Sequence, residues 1–419
     1  MKAYLIGLLG LLGLPALAQP ELTLTQCYAA ARANYPLLRQ QGILKKADEL
    51  AVAKLTTNRR LPQLAVNGQA SWQSAVTQLA VDMPGVRLPA LSKNQYKLTL
   101  DATYTLYDGR QTRLQTTIQR ATSLTDQRQI EVELYGLKER VDGLFLNALL
   151  TDEQIRLTQM LLTDLRSRVE KLRAGVRFGS AAPNDVDVLR VEQLTSEQRL
   201  ADLTATRRGQ RDALHLLTEL PVADSTRLVV DLPPLAINQP VVRPELQLYQ
   251  AQHQLYDARL QFANNRFKPR FSLFSQSGVA RPALNFLNNE FERFFIGGLR
   301  LSWDISSAYT IRNDRQILQL NQQTVAVRQA AFEKDLTVEL RQQQTEIERL
   351  QAQLAKDADI VAVRARVRQA TAAQLDNGVA DARDYTTELT NENQARLDQK
   401  LHELQLVQAQ MQYRTLTGN

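Results

Sequence analysis

Three histidines (His215, His253 and His402) and one cysteine (Cys27) are the only imidazole and thiol groups in this 419-residue chain, and they stand far apart. A zinc-type centre or an internal disulfide needs several such groups, so no metal site and no thiol or metal catalysis is expected, and no cofactor is called for. Cys27 reads as a small apolar residue buried on a helix. What remains is carboxylate chemistry. Asp101 and Asp304 have the acidity for paired acid–base work, but nothing sets them beside a nucleophile or a pocket, so no catalytic residue is assigned. A denser group of acids, Asp185, Asp187, Asp376, Asp381 and Asp384, shares two short stretches with Gly179, Gly378, Arg177 and Arg383. Glycine permits a chain reversal, and an aspartate near the start of the next helix caps its free N–H groups. Gathered together, the same acids would repel one another, attract cations and pair with neighbouring arginines.

Long helices must position these turns. The 14 prolines leave residues 90–182 and everything after 282 free of helix breakers, and both stretches are rich in Ala, Leu, Gln, Arg and Glu. In the first, Ile130, Leu134, Leu137, Val141, Leu144, Ala148, Thr151, Ile155, Thr158, Leu162, Leu165, Val169, Leu172 and Val176 recur three and four apart, a heptad seam broken only by two threonines. A single helix over about 110–177 would run roughly 100 Å, longer than a globular domain uses. A second long helix, over about 306–376, repeats the pattern less cleanly: Leu336, Leu340, Ile347, Leu350 and Leu354, then after a phase shift Ile360, Val363, Val367 and Ala370. Helices over about 183–219 and 381–416 follow the two glycine turns.

Before each long helix the period changes to two. Leu64, Val66, Gly68, Ala70 and Trp72 alternate with mostly polar residues over about 63–73, and Tyr96, Leu98, Leu100, Ala102, Tyr104 and Leu106 do so more strictly over about 94–107. Met83-Pro84-Gly85 and Leu88-Pro89 supply turn chemistry between them. The second half has matching strands over about 270–280 and 292–305. On the last, Phe295, Gly297, Leu299, Leu301, Trp303 and Ile305 oppose Ile296, Gly298, Arg300, Ser302 and Asp304. Each strand has the length a transmembrane β-strand needs, with aromatic residues near its ends. Lys97, Asp101, Arg300 and Asp304 then fall on the polar face, where simple solvation accounts for them as well as a lumen role does.

The chain opens on Met1-Lys2, a leucine-rich run to Leu14, Pro15 and Ala16-Leu17-Ala18, which reads as a signal peptide over 1–18. No cysteine directly follows the cleavage point, so no lipid anchor is signalled. The formal net charge is +7, without a Lys/Arg-rich block or a nucleotide-binding glycine loop, and a nucleic-acid partner is not expected. The mature chain reads as a repeat: residues 19–220, a proline-rich linker over 221–243, and residues 244–419. A shift of 199 aligns Tyr104 with Trp303, Gly179 with Gly378 and Asp185 with Asp384. Four membrane-length strands are too few to close a barrel, and open edges cannot sit in lipid, so the barrel must be shared between chains. A dimer gives eight strands and a trimer twelve; strand arithmetic leaves both open.

Taken in order, these features resemble the TolC-like outer membrane efflux proteins over essentially the whole mature chain. The carriers are Leu22-Thr23-Leu24-Thr25-Gln26-Cys27 with Ala31, Asn34 and Pro36, and Arg243-Pro244-Glu245-Leu246 opening the second copy. Pro62 and Pro269 precede the first strand of each copy, Tyr107-Asp108-Gly109 ends a second strand, and Gly179 and Gly378 are each followed six residues later by aspartate. The resemblance implies a mixed α+β homotrimer: a twelve-stranded outer membrane barrel, four strands per chain, continued by a periplasmic coiled-coil tunnel. It implies a passive exit duct, not an enzyme, whose partners are a periplasmic adaptor, an inner-membrane pump and outer membrane lipid. The glycine turns become the closed periplasmic tip, with Asp185, Asp381 and Asp384 as the constriction and Arg177 or Arg383 as partners. Family members often carry a further acid three residues after the second aspartate and an arginine two after the glycine; here Thr387 and Ala380 stand there, so those particular gate bonds do not transfer. The rival reading is a secreted periplasmic coiled-coil scaffold or adaptor, which explains the leader and the heptads but not the duplicated strands.

Overall fold

A computed structural model of the chain describes residues 21–76, 91–237, 239–285 and 288–418. The signal-peptide stretch and the turn residues Pro84 and Pro89 lie outside them. The elements are β1 (Glu21–Thr23), α1 (Leu24–Asn34), α2 (Pro36–Arg60), β2 (Gln63–Trp72), β3 (Asn94–Tyr107), α3 (Gln111–Tyr135), α4 (Leu137–Arg177), α5 (Pro183–Thr218), β4 (Arg227–Val229), α6 (Pro244–Asn265), β5 (Arg270–Arg281), β6 (Glu292–Ser302), α7 (Ser307–Asp376) and α8 (Ala382–Thr417). Among the described residues no helix combines the length and the apolarity needed to cross a membrane.

The chain divides into two compact units, and neither is one sequence repeat. The first takes the chain up to Leu38, Glu133–Arg243 and Asp335–Asn419; the second takes Arg39–Val132 and Pro244–Lys334. Each therefore draws on both copies. Two local features depart from the sequence reading. The helix expected over 110–177 is interrupted at Gly136, where the residue that tolerates loss of helical pairing separates α3 from α4. Within the linker, Arg227–Val229 forms a parallel pair with Glu21–Thr23, too short a strand to leave a period in the sequence.

The first unit is built on α4. Of its seam, Val141, Ala148 and Leu165 are fully buried, and Leu137, Ile155, Leu162 and Val169 nearly so. The two threonines are no defect, because each hydroxyl donates to a carbonyl one turn earlier: Thr151 to Asn147 at 2.9 Å and Thr158 to Gln154 at 2.7 Å. Around Val141 and Phe145 pack Leu22, Leu24, Cys27, Ala31, Leu214, Leu228 and Met411. Burial there pushes the Cys27 thiol up to about 12, so it remains an uncharged apolar filler. A separate cluster, Leu165, Val169, Leu189, Ala372, Leu375, Ala382, Tyr385 and Leu389, joins α4, α5, α7 and α8 near the glycine turns.

α7 behaves differently along its length. Leu336, Ile347 and Leu350 are buried as their spacing predicts. Beyond the phase shift, Ile360, Val363 and Val367 are 48, 47 and 39% exposed. Ahead of Ala372 and Leu375, the side turned to α8 carries polar pairs: His402 Nδ1 lies 2.7 Å from Asp357, and Arg364 and Arg368 pair with Glu388 and Glu392.

The second unit holds an antiparallel sheet in the order β2-β3-β5-β6. Leu98 lies opposite Gly68 and Val279, and Leu100 opposite Val66 and Ser277, so one face gathers most of the apolar residues of the four strands, while Phe274, Phe294 and Ile296 fall on the other. That face is uncovered: Val66 is 71% and Leu299 73% exposed. A bulge between Thr105 and Tyr107 sets Tyr107 opposite Phe271, with ring centroids 6.3 Å apart. Below the strands α6 and α7 meet through Tyr249 and Phe332 and through Gln322 and Asp257, and α2 reaches α3 through Gln41 and Glu131.

Candidate functional site

The two glycine turns share one geometry. After α4, Gly179 takes φ +74° and the Ser180 N–H donates to Gly175 O at 2.8 Å; after α7, Gly378 takes φ +69° and the Val379 N–H donates to Gln374 O at 2.8 Å. Both helices thus end with a left-handed residue and a bond reaching back five residues, a conformation that side chains with a Cβ resist. The stretches flank a cleft of about 410 Å3 lined by Lys171, Ser180, Asp185, Asp376 and Asp381, among others.

Asp185, Asp381 and Asp384 are brought together. Asp381 is the N-cap of α8: its carboxylate accepts the Asp384 N–H at 2.9 Å, and the Asp384 carboxylate accepts the Asp381 N–H at 3.3 Å. Asp185, in the first turn of α5, accepts the Ala382 N–H at 3.3 Å. Three carboxylates therefore satisfy N–H groups at one helix start, where the helix dipole favours negative charge. Arg177 and Arg383 are exposed, and no ion pair engages either one among the described residues. The acid that is paired is Asp376, held by Arg168 at 2.8 Å and Lys171 at 2.6 Å, both from α4.

A turn or more away from the tip is a network the sequence reading did not single out. The Tyr385 hydroxyl, on a fully buried ring, donates to Asp164 at 2.6 Å, and the Arg168 guanidinium lies 4.9 Å from that ring's centroid. Burial, then the Asp164 carboxylate, pushes the Tyr385 phenol up to about 12, so it stays a neutral donor. Buried Glu392 receives Arg368 on one oxygen and Arg396 on the other, the latter at 2.6 Å. Removing one member of such a buried pair costs about 3–5 kcal/mol, because the other charge is left desolvated. One signal was available: Arg364 and Arg368 match Glu388 and Glu392 at a constant offset of four residues on each helix.

On the polar face of the sheet, three of the four residues assigned to a lumen lie on strands. Asp101 accepts from Asn67 at 2.6 Å and from Gln276 at 2.7 Å, and Lys97 donates to Gln276 at 3.1 Å, a chain of bonds across β2, β3 and β5. Arg300 stacks over Phe274 at 4.6 Å and Lys97 approaches Phe294 at 5.5 Å, so this face carries aromatic rings as well as charge. Asp304 is placed elsewhere. β6 ends at Ser302, and the Asp304 carboxylate accepts from the Ser306 hydroxyl at 2.5 Å and the Ser307 N–H at 3.3 Å, where it caps the start of α7.

Residues 27–218 match the family model described as outer membrane efflux protein. No curated protein matches the chain. Among solved structures it is similar to the outer membrane protein VceC of Vibrio cholerae at 13% identity and TM-score 0.67, covering 92% of this chain and 95% of that one. It is similar to the CmeC outer membrane channel of Campylobacter jejuni at 14% identity and TM-score 0.68, covering 94 and 85%. It is also similar to the MtrE outer membrane channel of Neisseria gonorrhoeae at 17% identity and TM-score 0.64, covering 94 and 88%. The chain therefore has the fold of these channels, and residues 27–218 carry the sequence pattern of outer membrane efflux proteins, as the resemblance read from the sequence indicates.

Proposed function

We propose that three copies of this chain close a twelve-stranded barrel in the outer membrane, continued into the periplasm by a tunnel of helices. The assembly is the passive exit duct of a tripartite efflux or secretion system and performs no reaction of its own. The observation that carries this reading is the sheet: one apolar face with nothing over it, and outer strands β2 and β6 that each pair on one side only among the described residues. In lipid every unpaired backbone group costs several kcal/mol, so those edges require further strands from other copies. The strand count requires more than one chain; the number three follows from the family resemblance. The exposed stripe Ile360, Val363 and Val367 supports the same association in the helical part.

At the periplasmic tip, Asp185, Asp381 and Asp384 of the three copies form the acidic constriction, flanked by Gly179 and Gly378, and a periplasmic adaptor with its inner-membrane pump opens it. Lys97, Asp101 and Arg300 face the barrel lumen. The first test is the native mass of the full-length protein extracted from outer membranes in mild detergent. A particle three times the mature chain, confined to that fraction, is expected; a monomer or dimer released with the soluble periplasm returns the scaffold reading. In planar bilayers Asp384→Ala is then expected to raise the closed-state leak, and an unchanged conductance removes the aspartates from the gate.

A further inference from the structure

Between the last turn of α2 and the first turns of α3 runs a groove of about 650 Å3. Arg59 and Arg60 line it from α2, and Arg110, Arg113 and Arg120 from the start of α3. The one acid lining it is Asp108, and its oxygens are committed: the Arg110 N–H donates at 3.0 Å, the Thr112 N–H at 2.9 Å, and Arg59 lies 2.9 Å away. Burial works to raise the Asp108 pKa, but the Thr112 bonds and Arg59 outweigh it and hold the carboxyl below its ordinary range. The guanidinium groups of Arg60, Arg110, Arg113 and Arg120 are exposed, and among the described residues no ion pair engages them. Like charges gathered without counter-charge raise the local concentration of anions, and the planar arginine fork suits phosphate oxygens in particular.

Two further observations narrow the ligand. Tyr107 lines the groove and also lies opposite Phe271 on the apolar face of the sheet, so the groove begins where that face ends in aromatic residues. Aromatic residues at the end of an apolar band mark headgroup depth. The second repeat differs by one acid: there Asp314 pairs with Arg266 at 3.6 Å, whereas the position 199 residues earlier is Gln115.

We propose that this groove holds the phosphate-bearing headgroup of an anionic phospholipid in the periplasmic leaflet, with its acyl chains along the apolar face of the sheet. The inference rests on the reading of that sheet as part of an outer membrane barrel. The test uses the full-length protein, delipidated in mild detergent, with added phosphatidylglycerol, phosphatidylcholine or inorganic phosphate. Bound lipid is read by native mass spectrometry and stabilisation by the shift in thermal midpoint. Phosphatidylglycerol adducts up to one per chain and a raised midpoint are expected, with phosphatidylcholine retained about tenfold less. The exposed-site variant Arg60→Gln/Arg113→Gln/Arg120→Gln is expected to lose phosphatidylglycerol by about tenfold or more while reaching the outer membrane at normal yield. Equal retention of both lipids, unchanged binding by the variant, or an equal shift with inorganic phosphate alone overturns the lipid assignment. A wild-type protein absent from the outer membrane fraction instead overturns the barrel reading beneath it.

Discussion

α4 and α7 carry apolar residues at the same three- and four-residue spacing, yet the fold uses them in opposite ways. On α4 the seam is closed by the chain's own α1, α5 and α8, and charge is almost excluded from it. On the last five turns of α7 the chain's own partner, α8, meets Arg364 and Arg368, while Ile360, Val363 and Val367 remain outside. A heptad stripe therefore states that a surface is to be buried, but not by which copy of the chain. In the proposed oligomer a second copy covers the open stripe, while the charged pairs behind it add to the apolar contacts that Ile347, Leu350, Ala372 and Leu375 make near α8.

The comparison breaks most visibly at the open stripe. Val363→Asp with Val367→Asp is expected to abolish the oligomer in native mass measurements while leaving helical content by circular dichroism unchanged. An intact oligomer would mean that this surface is simply solvated. The closed seam is expected to respond in the folding of the single chain. Leu165→Ala, at a fully buried site, should cost about 4 kcal/mol from lost contacts and the cavity left behind, read as a lowered thermal midpoint. Ile360→Ala on the open stripe should stay within about 0.5 kcal/mol in a dissociated chain.

The smallest effect concerns how each helix tolerates buried charge. α7 neutralises Arg368 with Glu392, whereas Asp142 on α4 is buried against the Tyr28 hydroxyl. Burial, opposed by the Tyr28 bond and Lys138, pushes the Asp142 carboxyl up to about 6, well above its ordinary value. A carboxyl whose pKa is higher folded than unfolded holds its proton more tightly in the native state. Its contribution is thus full below the unfolded value and is lost as pH rises through the folded one. Stability is expected to fall by about 3 kcal/mol at most between pH 4 and 7 on this account, and Asp142→Asn should flatten that part of the profile. A slope unchanged by the substitution would assign it to other groups.

Much of this architecture is legible in residue order. Period two in Tyr96 to Leu106, and its polar counterpart at Lys97 and Asp101, identifies a strand whose two faces meet different surroundings, and the sheet keeps that division. Gly179 and Gly378 mark the turns because a positive φ is inexpensive only there. What escaped reading depends on partners distant in sequence. Asp304 alternates correctly for a strand, but the strand stops two residues earlier and the carboxylate is taken by the start of α7. Arg177 and Arg383 are close to the aspartates along the chain, yet Arg168 and Lys171, farther back on α4 than Arg177, are the ones within reach of Asp376.

The sequence by itself determined the periods, the breakers and the duplicated order of elements, because each is a local property of neighbouring residues. Only the tertiary structure decided which side of α7 meets α8, which carboxylates cap which helix, and how stretches from both halves of the sequence combine into each of two units. Those choices depend on distances between residues tens to hundreds of positions apart, and no local spacing encodes them.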